Sequence, residues 1–481
     1  MIQWQRMAAL RNARPWMTNT ALCLAGLGLL MLTRQFVREN DHYGIGFSGC
    51  SGWSVWLYVA AIIIVMTQPF NRATFGIIIG FAVALQMATL FADPFMSTDI
   101  YRYVWDGVVQ HAGINPYRYV PGDKALTFLR APNQDIFDNI NRRDYAHTIY
   151  PPAAQMFNWL VTWFSPTVTA MKAGMFCFEC VTAAALIALL RRMQRPPEQV
   201  LLFAWCPLLA WEIGGSGHVD AVVMGFVVLA MLFRHREQPV LTGLFLGLAV
   251  ITKFYPLVLL PALWTRRGWR VDWKLPATMA AVVAVGYACY ASVGMKVFGF
   301  LGGYAKEEGI DSGARFFLLD LTQSVHGLAW VSKTCFMVFC VLVMGAISLW
   351  AWQYAMPEVC SRGTKEPHFL RAAMLLGLAM MLLFSPHYAW YVVWLIPFMA
   401  LDPWLPLLVY LMSFFYLFTT GLADPGPKMF LLNEILYGIV AFMIFLQVTV
   451  LRRWSLRSIF RVDAPPENTV RSFQPQEVEA N

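Results

Sequence analysis

Ser97-Thr98-Asp99-Ile100-Tyr101-Arg102-Tyr103-Val104-Trp105-Asp106-Gly107 follows an apolar run over 74–92 and opens a long polar loop. That loop closes at Tyr150-Pro151-Pro152, after which apolar sequence resumes. Asp99 and Asp106 are seven residues apart, so a helix places both on one face. Carboxylates held at a membrane surface are suited to taking a proton from a substrate. The rest of the chain is read by asking what else lies on their side of the membrane.

Of the 481 residues, 58% are hydrophobic and 13% charged, against roughly 45–50% and about 25% for a soluble domain. Long apolar runs recur, which predicts an all-α polytopic membrane protein. The expected spans are about 13: 18–33, 53–69, 74–92, 168–190, 199–213, 219–233, 240–264 (broken), 275–293, 331–352, 369–384, 388–401, 403–420 and 431–451. Segment 152–165 is short, with prolines at its ends, and reads as a half-helix or a surface helix. Residues 1–461 form one integral membrane domain on this reading. Its large outer loops are 94–150 and 294–330, and 462–481 is a disordered cytoplasmic tail.

The net charge of +8 comes from basic residues gathered at span ends, which is topology and not a nucleic-acid footprint. The nine cysteines fall mostly in apolar runs, with no disulfide framework or metal-ligand spacing. Arg6, Arg11 and Arg14 precede the first apolar run, which lacks a small-residue cleavage site and reads as an uncleaved span.

Those arginines put the N-terminus in the cytoplasm, and three crossings then put loop 94–150 outside. Arg191, Arg192 and Arg195, then Arg234 and Arg236, then Arg362, Lys365 and Arg371, and finally Arg452, Arg453, Arg457 and Arg461 with the C-terminus, all fall inside. Arg266, Arg267 and Arg270 do so only if 240–264 breaks at Lys253-Phe254-Tyr255-Pro256, where the residue before proline disfavours helix. Broken helices at membrane depth are tolerated where they line a cavity. With that break, Asp99, Asp106, His147, His218, Asp220, Lys253, loop 294–330 and His387 share the extracytoplasmic half, as a single site would.

Each member also has a plainer explanation. Asp99, Tyr103, Asp106 and Gln110 can be the solvated face of an amphipathic interfacial helix. Asp99 is the stronger base candidate because it adjoins the preceding span. Asp106 is open to orienting Asp99, binding an acceptor hydroxyl or holding a cation. His147 near Tyr150 reads equally as a loop histidine or a ligand contact, and Asp220 near His218 equally as a helix cap. Lys253, beside Tyr255, either meets an anion or snorkels to headgroups. Trp390 beside His387 fits an interfacial belt as well as a site.

Asp99-Ile-Tyr-Arg-Tyr-Val-Trp-Asp-Gly, Asn115-Pro-Tyr, Tyr150-Pro-Pro, Gly217-His-Val-Asp, Lys253-Phe-Tyr-Pro and Pro386-His-Tyr-Ala-Trp-Tyr together carry a resemblance. The chain resembles the GT-C superfamily of membrane glycosyltransferases, and within it the bacterial polyprenol-phosphate-mannose-dependent mannosyltransferases of glycosyltransferase family 87. The resemblance implies transfer of a sugar, mannose by analogy, from a polyprenyl-phosphate donor to a glycan or glycolipid acceptor. It implies an extracytoplasmic active site in a bacterial inner membrane. The base role falls on Asp99, and the phosphate on Lys253 and His387. Two departures are evident: the acidic loop follows the third span where many relatives have it after the first, and Asp106 adds a second carboxylate.

An inverting displacement needs one base and a compensated leaving phosphate. It needs no cofactor, and a divalent cation is allowed but not obligatory. A retaining reaction would need both carboxylates at the sugar. The rival readings are a transporter or flippase, against which no second broken segment pairs with 240–264, and a non-catalytic assembly subunit.

Overall fold

The computed structural model describes residues 15–38, 45–94, 97–267, 270–355, 368–421 and 427–451. Arg6, Arg11, Arg14, Arg362, Lys365, the basic run from Arg452 to Arg461 and the tail 462–481 lie outside the described residues. Apart from a two-residue antiparallel pairing of Arg266–Arg267 with Arg270–Val271, the regular elements described are helical.

Three long helices come first: α1 (Pro15–Arg38), α2 (Ile45–Thr67) and α3 (Arg72–Leu90). α1 packs on both of the others. Asn71 caps α3 reciprocally with Thr74, and the Thr74 hydroxyl donates onward to Asn19 of α1 at 2.6 Å. α3 ends before Pro94, and its last carbonyls are met by a side chain from elsewhere. Lys172 Nζ donates to Thr89 O at 3.3 Å and to Ala92 O at 2.6 Å, answering acceptors that a helix terminus leaves open.

The polar loop then forms α4 (Asp99–His111), which packs against α5 (Pro152–Phe164). Ile100, Val104 and Val109 supply the buried apolar face of α4. Gly107 permits the close crossing, because a Cβ there would strike the Thr162 hydroxyl and the Asn158 carbonyl. α5 begins with Pro152 at its first position and leaves Trp163 and Phe164 exposed, as a helix lying along an interface would.

The centre of the bundle is α6 (Val168–Arg192), α7 (Asp220–His235), α8 (Pro239–Val250) and α9 (Lys274–Ala288), packed in sequence order. A π-helical turn over Ala210–Gly215 leads into α7. α8 stops at Val250, a 3₁₀ turn begins at Tyr255, and Lys253 sits in the gap, as expected. The Ile251 carbonyl freed by the break accepts from Ala153 N at the start of α5, at 2.8 Å.

α10 (Leu301–Glu307) turns back across the outer end, and the 274–288 and 291–307 helices are bent by 110°. α11 (Lys333–Tyr354), α12 (His368–Phe384), the segment Ala389–Leu401, α13 (Leu405–Gly421) and α14 (Pro427–Leu446) complete the bundle.

The expected count of about 13 spans is not matched by helix length alone. Among the described residues, six helices are long and apolar enough to cross a membrane, or seven if the bent pair is one span. α7, α12 and α13 have only 16, 17 and 17 residues. At 1.5 Å per residue they rise about 24–26 Å, short of the ~30 Å hydrocarbon core. The other expected spans are shorter apolar helices or broken segments. The multi-pass membrane class itself stands.

Candidate active site

One cavity of about 1110 Å³ is lined by residues from several of these elements. Its polar end is lined by Asp99 and Arg102 of α4, Asn141, Arg142 and His147 of the following loop, Lys253 of the α8 break, and Glu308 just past α10. Its apolar end runs along Leu257, Val258, Leu260, Pro261, Met380, Met381 and Phe384. Phe254 and Leu257 beside it are 41% and 47% exposed, so this end opens toward the surface that lipid would cover.

Asp99 occupies the first turn of α4. Asn141 Nδ2 donates to its Oδ1 at 2.9 Å and to Thr98 Oγ1 at 3.2 Å, which orients the carboxylate and leaves its second oxygen uncommitted to Asn141. Burial pushes the neighbouring Tyr150 phenol well above its ordinary value, with the Asp99 charge adding to the effect, so Tyr150 stays protonated. Tyr150 lines the cavity and is backed by Tyr103, ring edge to face at 4.7 Å. Tyr103 itself does not line the cavity.

Asp106 does not join Asp99 in the lining. It is buried against α5, accepting from Arg102 Nε at 2.7 Å and Gln155 Nε2 at 2.8 Å. Arg102 Nη1 in turn donates to Ala146 O at 3.0 Å, so this pair fixes the loop that carries His147. Two acids on one helical face have diverged in environment because α5 covers one of them. The two-carboxylate retaining arrangement has no geometric basis here.

His147 lines the cavity, and its Nδ1 is buried without a hydrogen-bond partner. Burial and then the Arg102 cation hold its imidazole below the usual range. It is neutral near pH 7 and available as a hydrogen-bonding group.

Lys253 reaches the cavity with its charge already shared. Its Nζ donates to Asp220 Oδ2 at 2.5 Å, and Tyr255 Oη donates to Asp220 Oδ1 at 2.5 Å. Asp220, fully buried, thus anchors two cavity-lining groups from behind and is not itself in the lining. His218 is also behind the wall, stacked on cavity-lining Trp390 at 4.4 Å, with its Nε2 3.4 Å from Glu212 Oε2.

His387 lies apart from these groups. It does not line the cavity, and burial followed by the Arg315 cation pushes its imidazole down to about 4. As placed, it is a neutral group next to Arg315 and not a cation in the lining.

Sequence reasoning missed Arg102, Asn141, Arg142, Tyr304, Glu308 and Tyr391, all in the lining. Arg142 Nε pairs with Glu307 Oε2 at 2.6 Å and Tyr145 Oη donates to Glu307 Oε1 at 3.0 Å, strapping α10 to the first outer loop. The placement of loop 294–330 on the site's side was the available signal. Nothing in that loop's spacing identifies which of its residues turn inward.

Two family models match the chain. Residues 3–266, more than half of it, match the alpha-(1→6)-mannopyranosyltransferase, N-terminal domain, and residues 148–386 match glycosyltransferase family 87. The two matches overlap over 148–266, which holds α5 and the α8 break, while the part of the loop that carries Asp99, Asn141 and His147 lies in the first match alone. No curated protein and no solved structure matches the chain.

Proposed function

Because the chain belongs to the alpha-(1→6)-mannopyranosyltransferase family, with a glycosyltransferase family 87 region of GT-C type, we propose that it moves mannose from a polyprenyl-phosphate donor to a glycan or glycolipid acceptor, with inversion and with Asp99 as base. One observation carries this reading. A single cavity is lined both by the Asn141-oriented Asp99 carboxylate and by apolar side chains such as Leu257, Val258, Leu260, Met380 and Met381. A lipid-linked sugar has that same division between a polar head and an apolar tail.

In the proposed step, Asp99 takes the proton of the acceptor hydroxyl. The acceptor oxygen forms a bond to C1 of the mannosyl group, and the C1–O bond to phosphate breaks. The bonding pair leaves on the phosphate oxygen. Lys253, Arg102 and Arg142 line the cavity, each paired with a carboxylate (Asp220, Asp106 and Glu307), and on this reading cationic side chains, not an obligatory metal, compensate the departing phosphate. His147 and the protonated Tyr150 are placed to hydrogen-bond sugar hydroxyls.

We place this chemistry on the extracytoplasmic face of a bacterial inner membrane, with cytoplasmic termini, from the distribution of basic residues.

Donor turnover tests the reading. Purified protein in detergent is given polyprenyl-phosphate-mannose and a membrane lipid extract, beside the Asp99→Asn variant. Release of polyprenyl phosphate by the native protein alone is expected. Flux of the intact donor across proteoliposomes without its consumption would replace the transferase with a flippase.

A further inference from the structure

Helix α10 ends in two adjacent acids, Glu307 and Glu308, and each holds an arginine. Glu307 takes Arg142 on the first outer loop, and Glu308 takes Arg315. The two pairs differ in kind. Arg142 is about one-third exposed, whereas Arg315 is 1% exposed. Arg315 Nη1 contacts Glu308, but its Nε and Nη2 are buried with no hydrogen-bond partner. An arginine cannot shed its charge, and each such orphaned donor is costly to keep buried. The guanidinium is also packed beside the Phe384 ring, at 4.9 Å, and the Tyr391 ring, at 5.5 Å.

Position gives this cation a use. Glu308, Phe384 and Tyr391 line the cavity, and Arg315 lies directly behind them. A carboxylate therefore stands between a permanently charged, incompletely satisfied fork and the polar end of the void. The segment that carries Glu308 is bounded by Gly299, at φ +53°, and Gly309, at φ +67°. Side chains resist that region of backbone space, and at Gly299 a Cβ would strike the Thr148 carbonyl.

We propose that Arg315 is the anion-binding residue of the cavity and that Glu308 is its built-in stand-in, displaced when a phosphate group arrives. The idea rests on the transferase reading and names the cation that meets the phosphate there. A phosphate offers more acceptor oxygens than a carboxylate, so it can occupy the Glu308 position on Nη1 and also reach donors that Glu308 leaves unpaired. The exchange replaces one anion by another, and no new unpaired charge is left on Arg315.

Binding of farnesyl phosphate, farnesol and inorganic phosphate to the detergent-solubilised full chain tests this, using the native protein and the Glu308→Gln, Arg315→Lys and Arg315→Gln variants. Glu308→Gln is expected to tighten farnesyl phosphate about tenfold by removing the competitor, and Arg315→Gln to weaken it about tenfold or more, with Arg315→Lys between them. Farnesol, which lacks the anion, is expected to bind all four proteins alike. Inorganic phosphate binding as tightly as the ester, with the same variant pattern, would support displacement and make free phosphate the occupant. Unchanged or weaker farnesyl phosphate binding in Glu308→Gln overturns the stand-in while leaving the transferase reading intact. Equal loss of farnesol and farnesyl phosphate in both Arg315 variants reduces Arg315 to a packing role and overturns the proposal. A native protein that binds farnesol but no farnesyl phosphate overturns both readings.

Discussion

Asp99 and Asp106 share a helix and a residue type, yet one faces a cavity through an asparagine and the other is sealed against Arg102 and Gln155. Their substitutions should separate accordingly. Asp99→Asn keeps the shape and removes the proton acceptor, so kcat should fall by about 10²–10⁴ with donor affinity nearly unchanged, measured by turnover and prenyl-phosphate binding. Asp106→Ala strands a buried guanidinium and should destabilise the protein by about 3–5 kcal/mol. That loss would appear as a lower midpoint of thermal unfolding in detergent, whatever happens to turnover. His387 adds a pH term. Its imidazole is pushed down to about 4 in the folded chain, so between that value and the unfolded pKa near 6.5 the unfolded chain binds more protons. Stability should therefore fall as pH drops through this window, by up to about 1.4 kcal/mol per unit from this residue. His387→Asn should flatten the slope of unfolding midpoint against pH, provided it folds.

At the scale of elements, the broken helix after α8 matters most. Proline chemistry predicts the interruption, and Ile251 O finds Ala153 N as its substitute partner. The break presents Lys253 and Tyr255 to the cavity, and Asp220 at the start of α7 holds both. These residues should behave as a unit. Lys253→Met alone leaves Asp220 with a buried charge, and Asp220→Asn alone leaves Lys253 without its counter-ion. The double variant should be more stable than the sum of the single losses implies, with a coupling of about 1–3 kcal/mol in a double-mutant cycle. Additive losses would mean that the two side chains act separately. The crossing of α4 and α5 is similarly specific: Gly107→Val drives a branched side chain into Thr162 and Asn158. It should cost about 1–3 kcal/mol or more, read as a lower unfolding midpoint.

For the whole molecule, the described residues form a helical bundle with one mixed cavity and with apolar flanks left exposed. α11 shows the second half of that statement, with Phe339, Val341 and Leu342 more than half exposed. The strap from Arg142 and Tyr145 to Glu307 joins the two outer loops across the cavity mouth. Cysteines replacing Arg142 and Glu307, once crosslinked, should slow turnover by holding α10 in place, and a reducing agent should restore it. Unchanged turnover after complete crosslinking would show that α10 does not move during the cycle.

Composition and apolar run length by themselves determined the membrane class and the break at Lys253, because these depend on solvation of contiguous segments and on proline's local constraint. The ordered motifs from Asp99 to Tyr391 carried the family resemblance, which the family matches bear out. The number of crossings was not legible, because a helix buried among helices is as apolar as one facing lipid. Tertiary packing alone decided which of two equivalent aspartates reaches the cavity, that Lys253 arrives paired with Asp220, and that His387 stands outside beside Arg315. Each of these outcomes depends on which distant surface covers a side chain, and the interactions that settle it join residues far apart in the sequence, such as Asn141 with Asp99 and Asp220 with Lys253.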